Sequence, residues 1–346
     1  MSDLNQRVTI LDIARALNIT AATVSRALND HPSIKDSTKK IVRKTAADLQ
    51  YQPNRIAASL RLGKSNIIGV IIPSAEINFF GSVIHGIEKV ANHHNYNVLI
   101  YQSNELYEFE KRGIQTFLQS QVDGVLASIS KETINLDHYS VIRKRGIPLI
   151  LFDRTSDALG VPSVVVNDYT GAFQATKHLV EQGCRRIAHI GGQQHVGIFN
   201  QRLKGYIDAL NVHNIAVDED LIVYGKVSIE SGRSCMQQLL SRQQIPEAVF
   251  AVEDFTALGA MQAVKDSGLS IPRDVCIIGF ANEAFGQYLT PSLSTVNQQT
   301  NRMGEAAAEL FFEMMVEQSN QDFRPRKVVL EPDLICREST RRNFSV

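Results

Sequence analysis

The stretch Thr9-Ile10-Leu11-Asp12-Ile13-Ala14-Arg15-Ala16-Leu17-Asn18-Ile19-Thr20-Ala21-Ala22-Thr23-Val24-Ser25-Arg26-Ala27-Leu28-Asn29 reads as two short helices joined by a tight turn. Thr9 is a suitable N-cap, and Asp12, three residues on, can answer it. Ile10, Ile13, Ala14 and Leu17 make one apolar face at helical spacing. Leu17-Asn18-Ile19 forms the turn, and Thr20 can cap the second helix. On that helix Ala21, Val24 and Leu28 are expected to face inward. Ala22, Arg26 and Asn29 fall on the other side, flanked by Thr23 and Ser25. That outer face is small, polar and basic, which suits a helix lying in a DNA major groove. Small side chains allow close approach, an Arg can pair bidentately with guanine, and hydroxyls reach phosphates or base edges.

Charge along the chain points the same way. Residues 1–65 carry 11 Lys and Arg against 5 acids; the remainder carries 25 against 31, so a net +6 head precedes a net −6 body. A basic head on an acidic body implies that only the head meets a polyanion.

Beyond Asn29-Asp30-His31-Pro32, which must be a loop, residues 35–50 read as a third helix. Its rows are Ile41, Thr45 and Asp48 beside Val42, Ala46 and Leu49, with Lys39, Lys40, Arg43 and Lys44 outside, most of them read as a solvated face. Tyr51-Gln52-Pro53-Asn54 breaks this helix. Asn54 can then cap a very short helix over residues 55–62, ended by Gly63. Eight residues are too few for a stable helix in water, where about 12–15 are needed, so this piece either folds against a partner or stays disordered.

These pieces together resemble the head of the LacI/GalR family of bacterial transcription regulators. The matching residues are Asp12-Ile13-Ala14, Thr23-Val24-Ser25-Arg26-Ala27-Leu28-Asn29, Tyr51-Gln52-Pro53-Asn54 and Ala57-Ala58-Ser59-Leu60-Arg61. The resemblance implies that the second helix enters the major groove of double-stranded operator DNA. It also implies that the short hinge helix pairs with its mate in a homodimer and lies in the minor groove, with Leu60 wedged between base pairs. Such a wedge costs a few kcal/mol of unstacking, offset by contacts to the bent duplex. The DNA-facing set so implied is Thr9, Ala22, Thr23, Ser25, Arg26, Asn29, Asn54, Arg55, Ala57, Leu60 and Arg61. Ala22 stands where members often carry a polar base reader, which leaves Arg26 as the main candidate for direct readout in this helix. Lys35 stands where a capping Ser is usual.

From Asn66 onward strands and helices alternate. Ile67-Ile68-Gly69-Val70-Ile71-Ile72-Pro73 is a strand buried on both faces, and Val98-Leu99-Ile100-Tyr101, Val122–Ala127 and Pro148–Phe152 repeat the theme with helices near 80–94, 107–120 and 136–145 between them. A second series runs from Val164-Val165-Val166 through helices near 170–182, 200–213, 229–241 and 255–267 to Cys276-Ile277-Ile278-Gly279-Phe280. Two such series imply two doubly wound parallel sheets with a ligand cleft beyond the carboxyl ends of their strands.

The body too resembles the family, in a type I periplasmic-binding-protein-like core. Asp153-Arg154, Gly183–Ala188, Arg202-Leu203-Lys204-Gly205-Tyr206, Gly279-Phe280-Ala281-Asn282 and Leu289–Val296 carry the likeness. It implies three crossings between lobes, and hence a helix-turn-helix domain over 1–53, a hinge helix and linker over 54–65 and an effector core over 66–346. Lobe 1 then takes about 66–161 plus 293–322, and lobe 2 about 162–292 plus 323–346. The expected effector contacts are Phe79 and Phe80 at the family's ligand-stacking position, Arg202 at its anchoring arginine, and Asp153, Asn167, Glu253 and Asn282 at strand ends. Ala281 replaces an Asp that grips ligand hydroxyls in many members, a gap that Glu283 is placed to fill. Val196, Gly197 and Ile198 replace polar residues of the purine-sensing branch, which argues against a purine corepressor; the expected effector is a carbohydrate.

Other classes find less support. No G-x-G-x-x-G, complete P-loop or G-x-S-x-G is present, so no catalytic residue and no cofactor is expected. Leu62-Gly63-Lys64-Ser65 lacks the earlier Gly of a phosphate loop and precedes a strand instead of following one. Cys184, Cys235, Cys276 and Cys336 have no metal or disulfide spacing, and His93-His94 cannot put both rings on one metal. The absence of a signal peptide and of a long apolar run predicts a cytoplasmic protein with no membrane segment, and disfavours a free-standing exported sugar-binding protein.

Overall fold

The computed structural model describes residues 8–51, 64–317 and 325–342. The chain divides into two compact units, residues 1–65 and 66–346. The hinge residues Asn54, Arg55, Ala57, Leu60 and Arg61 lie outside the described residues.

The first unit holds α1 (Ile10–Leu17), α2 (Ala21–Leu28) and α3 (Asp36–Asp48). The carboxylate of Asp12 accepts from the Thr9 N–H at 2.8 Å and from its hydroxyl at 2.7 Å, tying down the start of α1. Those bonds hold Asp12 below the usual carboxylate range, with Arg15 adding to the effect. Asn18 takes a left-handed conformation (φ 50°) at the turn, and the Thr20 hydroxyl accepts from the Thr23 N–H at 3.2 Å to start α2. Ile13, Ala14, Val24, Ala27, Val42 and Ala46 form the shared core. The inward face of α2 is therefore centred on Val24 and Ala27, with Ala21 and Leu28 only partly buried. Ala27 is fully buried although its side chain adds little apolar surface. On α3 the Val42 and Ala46 row goes inside and Ile41 stays exposed.

The second unit contains β1 (Ile67–Ile72), α4 (Asn78–His93), β2 (Asn97–Gln102), α5 (Tyr107–Gln119), β3 (Gly124–Ala127), α6 (Asp137–Lys144), β4 (Leu149–Phe152) and β5 (Ser163–Val166). It continues with α7 (Asp168–Glu181), β6 (Ile187–Gly191), α8 (Gly197–Val212), β7 (Ile222–Tyr224), α9 (Ile229–Leu240), β8 (Ala248–Ala251), α10 (Asp254–Asp266) and β9 (Cys276–Ile278). It closes with β10 (Thr295–Asn297), α11 (Thr300–Glu317), β11 (Lys327–Leu330) and β12 (Asp333–Ile335). One six-stranded sheet has the order β11-β5-β4-β3-β1-β2, a second has β7-β6-β8-β9, and every neighbouring pair in both is parallel. β10 and β12 form an antiparallel pair.

Each sheet is covered on both faces, as parallel sheets require. In the first, Ile68, Val70, Leu126 and Ile150 pack against α4 and α11, while Ile71, Val125 and Leu151 pack against α5 and α6. In the second, Val249 and Ile277 meet α9 and α10, and Phe250 and Ile278 meet α7 and α8.

Three expected lobe assignments are corrected. β5 is not the first strand of the second series: Phe152 of β4 pairs with Val164, so β5 belongs to the first sheet. β11, expected in lobe 2, also belongs there, because Val328 pairs with Val164. Residues 293–297, expected in lobe 1, put Leu293 and Val296 into the second lobe's cores. The crossings therefore follow β5, β10 and β11. α11 does return to the first lobe, and the tail does reach the second, where the Ser339 hydroxyl donates to the Ile277 carbonyl at 2.6 Å.

Candidate functional site

The outward face of α2 is set by the burial of Val24 and Ala27. Ala22, Arg26 and Asn29 are exposed, and Thr23 and Ser25 are half-buried. Several polar groups there are already committed. The Thr9 hydroxyl donates to Asp12, Thr23 Oγ1 lies 2.9 Å from Thr20 Oγ1, and Asn29 Nδ2 donates to the Ser25 carbonyl at 2.7 Å. Asp30 takes up Lys39 (3.1 Å) and Arg43 (3.0 Å), and they lower its pKa. The guanidinium of Arg26, by contrast, makes no hydrogen bond or ion pair with any described residue.

In the second unit, a cavity with about 550 Å³ of empty space, open solvent included, lies between the two sheets. Its walls come from the carboxyl ends of strands and from two helix starts. Glu105 follows β2, Lys131 follows β3, Asp153 and Arg154 follow β4, and Glu253 follows β8. Phe79 and Phe80 open α4, Arg202 sits one turn into α8, and Phe255 opens α10. Of the seven expected effector contacts, the fold brings Phe79, Phe80, Asp153, Arg202 and Glu253 to this cavity. Asn167 and Asn282 do not join them. Asn167 Oδ1 accepts from the Thr170 N–H to cap α7 while its Nδ2 donates to Glu331, and Asn282 Oδ1 accepts from Arg337 at 2.8 Å.

Ionised groups in the cavity are paired inside the protein. Arg202 is 2 % exposed; its Nε donates to Asp168 Oδ1 at 2.8 Å, its Nη2 lies 2.8 Å from the same oxygen, and its Nη1 donates to the Val252 carbonyl at 2.7 Å. The guanidinium also lies 3.7 Å from the centre of the Phe280 ring. Arg154 forks onto Glu105 at 2.7 and 3.1 Å and reaches Asp153 at 3.5 Å. Burial would raise the Glu105 carboxyl, but Arg154 and Lys131 outweigh it and hold the group low. Burial wins at the other acids. It raises Asp153 despite Arg154 and Arg202, and pushes Asp168 up to about 6 despite Arg202, with Asp153 adding to the rise. Glu253 is pushed up to about 8 by burial and by Asp254 and Glu283, and Asp254 to about 6, mainly by burial.

Glu283 does occupy this cavity: it is buried, and its Oε1 accepts from the Phe79 N–H of the first lobe at 3.2 Å. Opposite it, His195 Nε2 lies 2.6 Å from the Lys131 carbonyl oxygen, a second bridge between lobes. Ala281 (φ 118°) and Asp153 (φ 59°) hold backbone conformations that side chains other than Gly rarely adopt, and both line the cavity. The residue reading missed Glu105, Lys131, Arg154, Phe199 and Phe255. The signal was present: each follows a strand or opens a helix at the same sheet edge as the residues that were chosen.

Among the described residues, no cluster of three His, Cys, Asp or Glu side chains is arranged to hold a metal, and no helix is long and apolar enough to cross a membrane. All four cysteines are free thiols, three of them buried.

Comparison with known proteins matches residues 9–54 to the bacterial regulatory proteins of the lacI family and residues 176–340 to the periplasmic binding protein-like domain. The repressor CytR of Escherichia coli K12 is 34% identical over 96% of this chain and 96% of its own. The chain belongs to the LacI family. The ribose operon repressor of Haemophilus influenzae is 31% identical over 96% of this chain and 98% of its own. The structure of a regulator CelR–cellobiose complex superposes with a TM-score of 0.73 at 26% identity, covering 96% of this chain and all of that one. As a LacI-family member the chain is a DNA-binding transcriptional repressor, and its relatives are not enzymes.

Proposed function

We propose that the repressor binds a near-palindromic operator as a homodimer, reads it through the outer face of α2, and answers to a small carbohydrate-type effector in the cleft. The observation that carries the DNA side is the exposed guanidinium of Arg26, without a partner among the described residues, beside Ala22 and Asn29 on a capped helix. A bidentate Arg–guanine pair is the commonest specific contact in the major groove, and the small Ala22 permits the approach. In this reading Asn54, Arg55, Ala57, Leu60 and Arg61 supply minor-groove contacts, with Leu60 as the unstacking wedge.

The effector side is supported by the cleft's composition. Aromatic faces suit the apolar face of a sugar ring, and buried carboxyl groups suit its hydroxyls. The ribose and cellobiose named for two relatives point the same way. The test is selection of duplexes from a random pool by the full-length protein, then titration of the selected operator. Arg26→Ala is expected to cost about 1–3 kcal/mol on that operator and to relax selection at one base position. Equal weakening on all sequences would make Arg26 a phosphate contact instead.

A further inference from the structure

The cavity's charges do not balance. Each of its three cations already has a carboxylate partner: Lys131 lies 3.4 Å from Glu105, Arg154 is forked onto the same carboxylate and reaches Asp153 at 3.5 Å, and Arg202 is held by Asp168. Arg337, near Asp254, is spent on Asn282 and on the Leu293 carbonyl. Glu253 and Glu283 remain without a cationic partner among the described residues. Glu253 Oε2 accepts from the Phe255 N–H at 3.0 Å, while its Oε1 is buried and meets no donor among the described residues. Glu283 meets only backbone N–H groups at the start of α4. Phe79, Phe80, Phe199 and Phe255 line the same space and lower its polarity.

We propose that this cleft takes an uncharged or cationic hydroxyl-bearing ring and rejects its anionic counterparts, with Glu253 and Glu283 as the residues that set the choice. The inference rests on the cleft being the effector site. A ring hydroxyl can donate to Glu253 Oε1 and satisfy an oxygen that is otherwise costly to bury. A carboxylate or phosphate brings negative charge to a place whose lining cations are each already paired with a carboxylate and where two carboxyl groups already crowd Asp254. The same desolvation and like-charge neighbours that drive Glu253 towards its protonated form penalise a ligand's negative charge. Rejection by a desolvated site that offers a ligand's charge no partner is a recognised route to specificity. Ala281 and Glu283 both line the cavity, so the small side chain stands beside the carboxyl there.

Calorimetric titration of the full-length repressor with matched compounds tests this: ribose and ribose 5-phosphate; glucose, glucosamine and glucuronate; cellobiose and cellobionate; cytidine and its monophosphate. On every scaffold that binds, the neutral or amine form is expected to bind at least about tenfold tighter than the anion. Glu253→Gln with Glu283→Gln keeps an oxygen for the Phe255 and Phe79 N–H groups and removes both ionisable carboxyls. That double variant, checked for an unchanged melting transition, is expected to narrow the gap to below about threefold. An anion that binds as tightly as its neutral congener overturns the proposal. So does a gap that persists undiminished in the double variant. If no compound binds, the receptor reading of the cleft fails first, and this inference falls with it.

Discussion

Arg26 and Arg202 are the same side chain in opposite situations. Arg26 is exposed and has no partner among the described residues, so its fork is available to a ligand; Arg202 is buried and spends three nitrogens on Asp168 and Val252. Removing a buried partner leaves an uncompensated charge, a cost of about 3–5 kcal/mol. Arg202→Ala is therefore expected to lower the core's urea midpoint markedly, and adding Asp168→Asn is expected to recover part of the loss. An unchanged midpoint would show that the ion pair contributes nothing. Glu253 makes a pH prediction. Its folded pKa, about 8, lies above the ordinary 4.5, so its contribution to stability is full at low pH and is lost as pH rises through about 8. His189, held neutral by burial with a pKa of about 4, opposes this below its ordinary 6.5, which leaves the window from about pH 6.5 to 8 for Glu253. Stability is expected to fall across that window in the wild type and to fall less in Glu253→Gln. Parallel slopes would contradict the assignment. Residue types at strand ends were legible in the sequence. Their partners were not: nothing in the spacing of Asp168 and Arg202 shows that one neutralises the other.

At the level of elements, α4 and α11 cross at reciprocal glycines. A Cβ added at Gly304 would collide with the Val83 carbonyl oxygen, and one at Gly86 with the Asn301 carbonyl oxygen. α9 and α10 repeat the device through Gly232 and Gly259, which lie against Thr256 and Ile229. Ala is worth up to about 1 kcal/mol more than Gly inside a helix. Backbone overlap at these crossings outweighs that gain, so Gly304→Ala is expected to destabilise the core by about 1–3 kcal/mol. A higher melting temperature would show that the helices part without cost. Element order could be read from the chain because period and capping are local: the Thr20 cap, the Asn18 turn and the strand runs all fall where the residues place them. Sheet membership could not. Val164-Val165-Val166 has the same buried-strand composition whichever sheet it joins, and only its pairing with Phe152 and Val328 decides. The crossing at β11 was hidden for the same reason.

Across the whole molecule, charge is partitioned at the boundary between the two units, +6 in residues 1–65 and −6 beyond. This division was plain from composition, and it confines attraction for a polyanion to the head. The cleft, in turn, need couple to operator affinity by only about 1–3 kcal/mol to change it 5–150-fold. The direct test is fluorescence anisotropy of the selected operator and a scrambled duplex, each titrated with the full-length repressor between 50 and 200 mM salt, beside Arg26→Ala. The operator is expected to bind at least about a thousandfold tighter than the scrambled duplex, with log affinity falling linearly in log salt for both and the gap shrinking in the variant. Equal affinity for the two duplexes, or binding indifferent to salt, would contradict a basic head that reads DNA through α2.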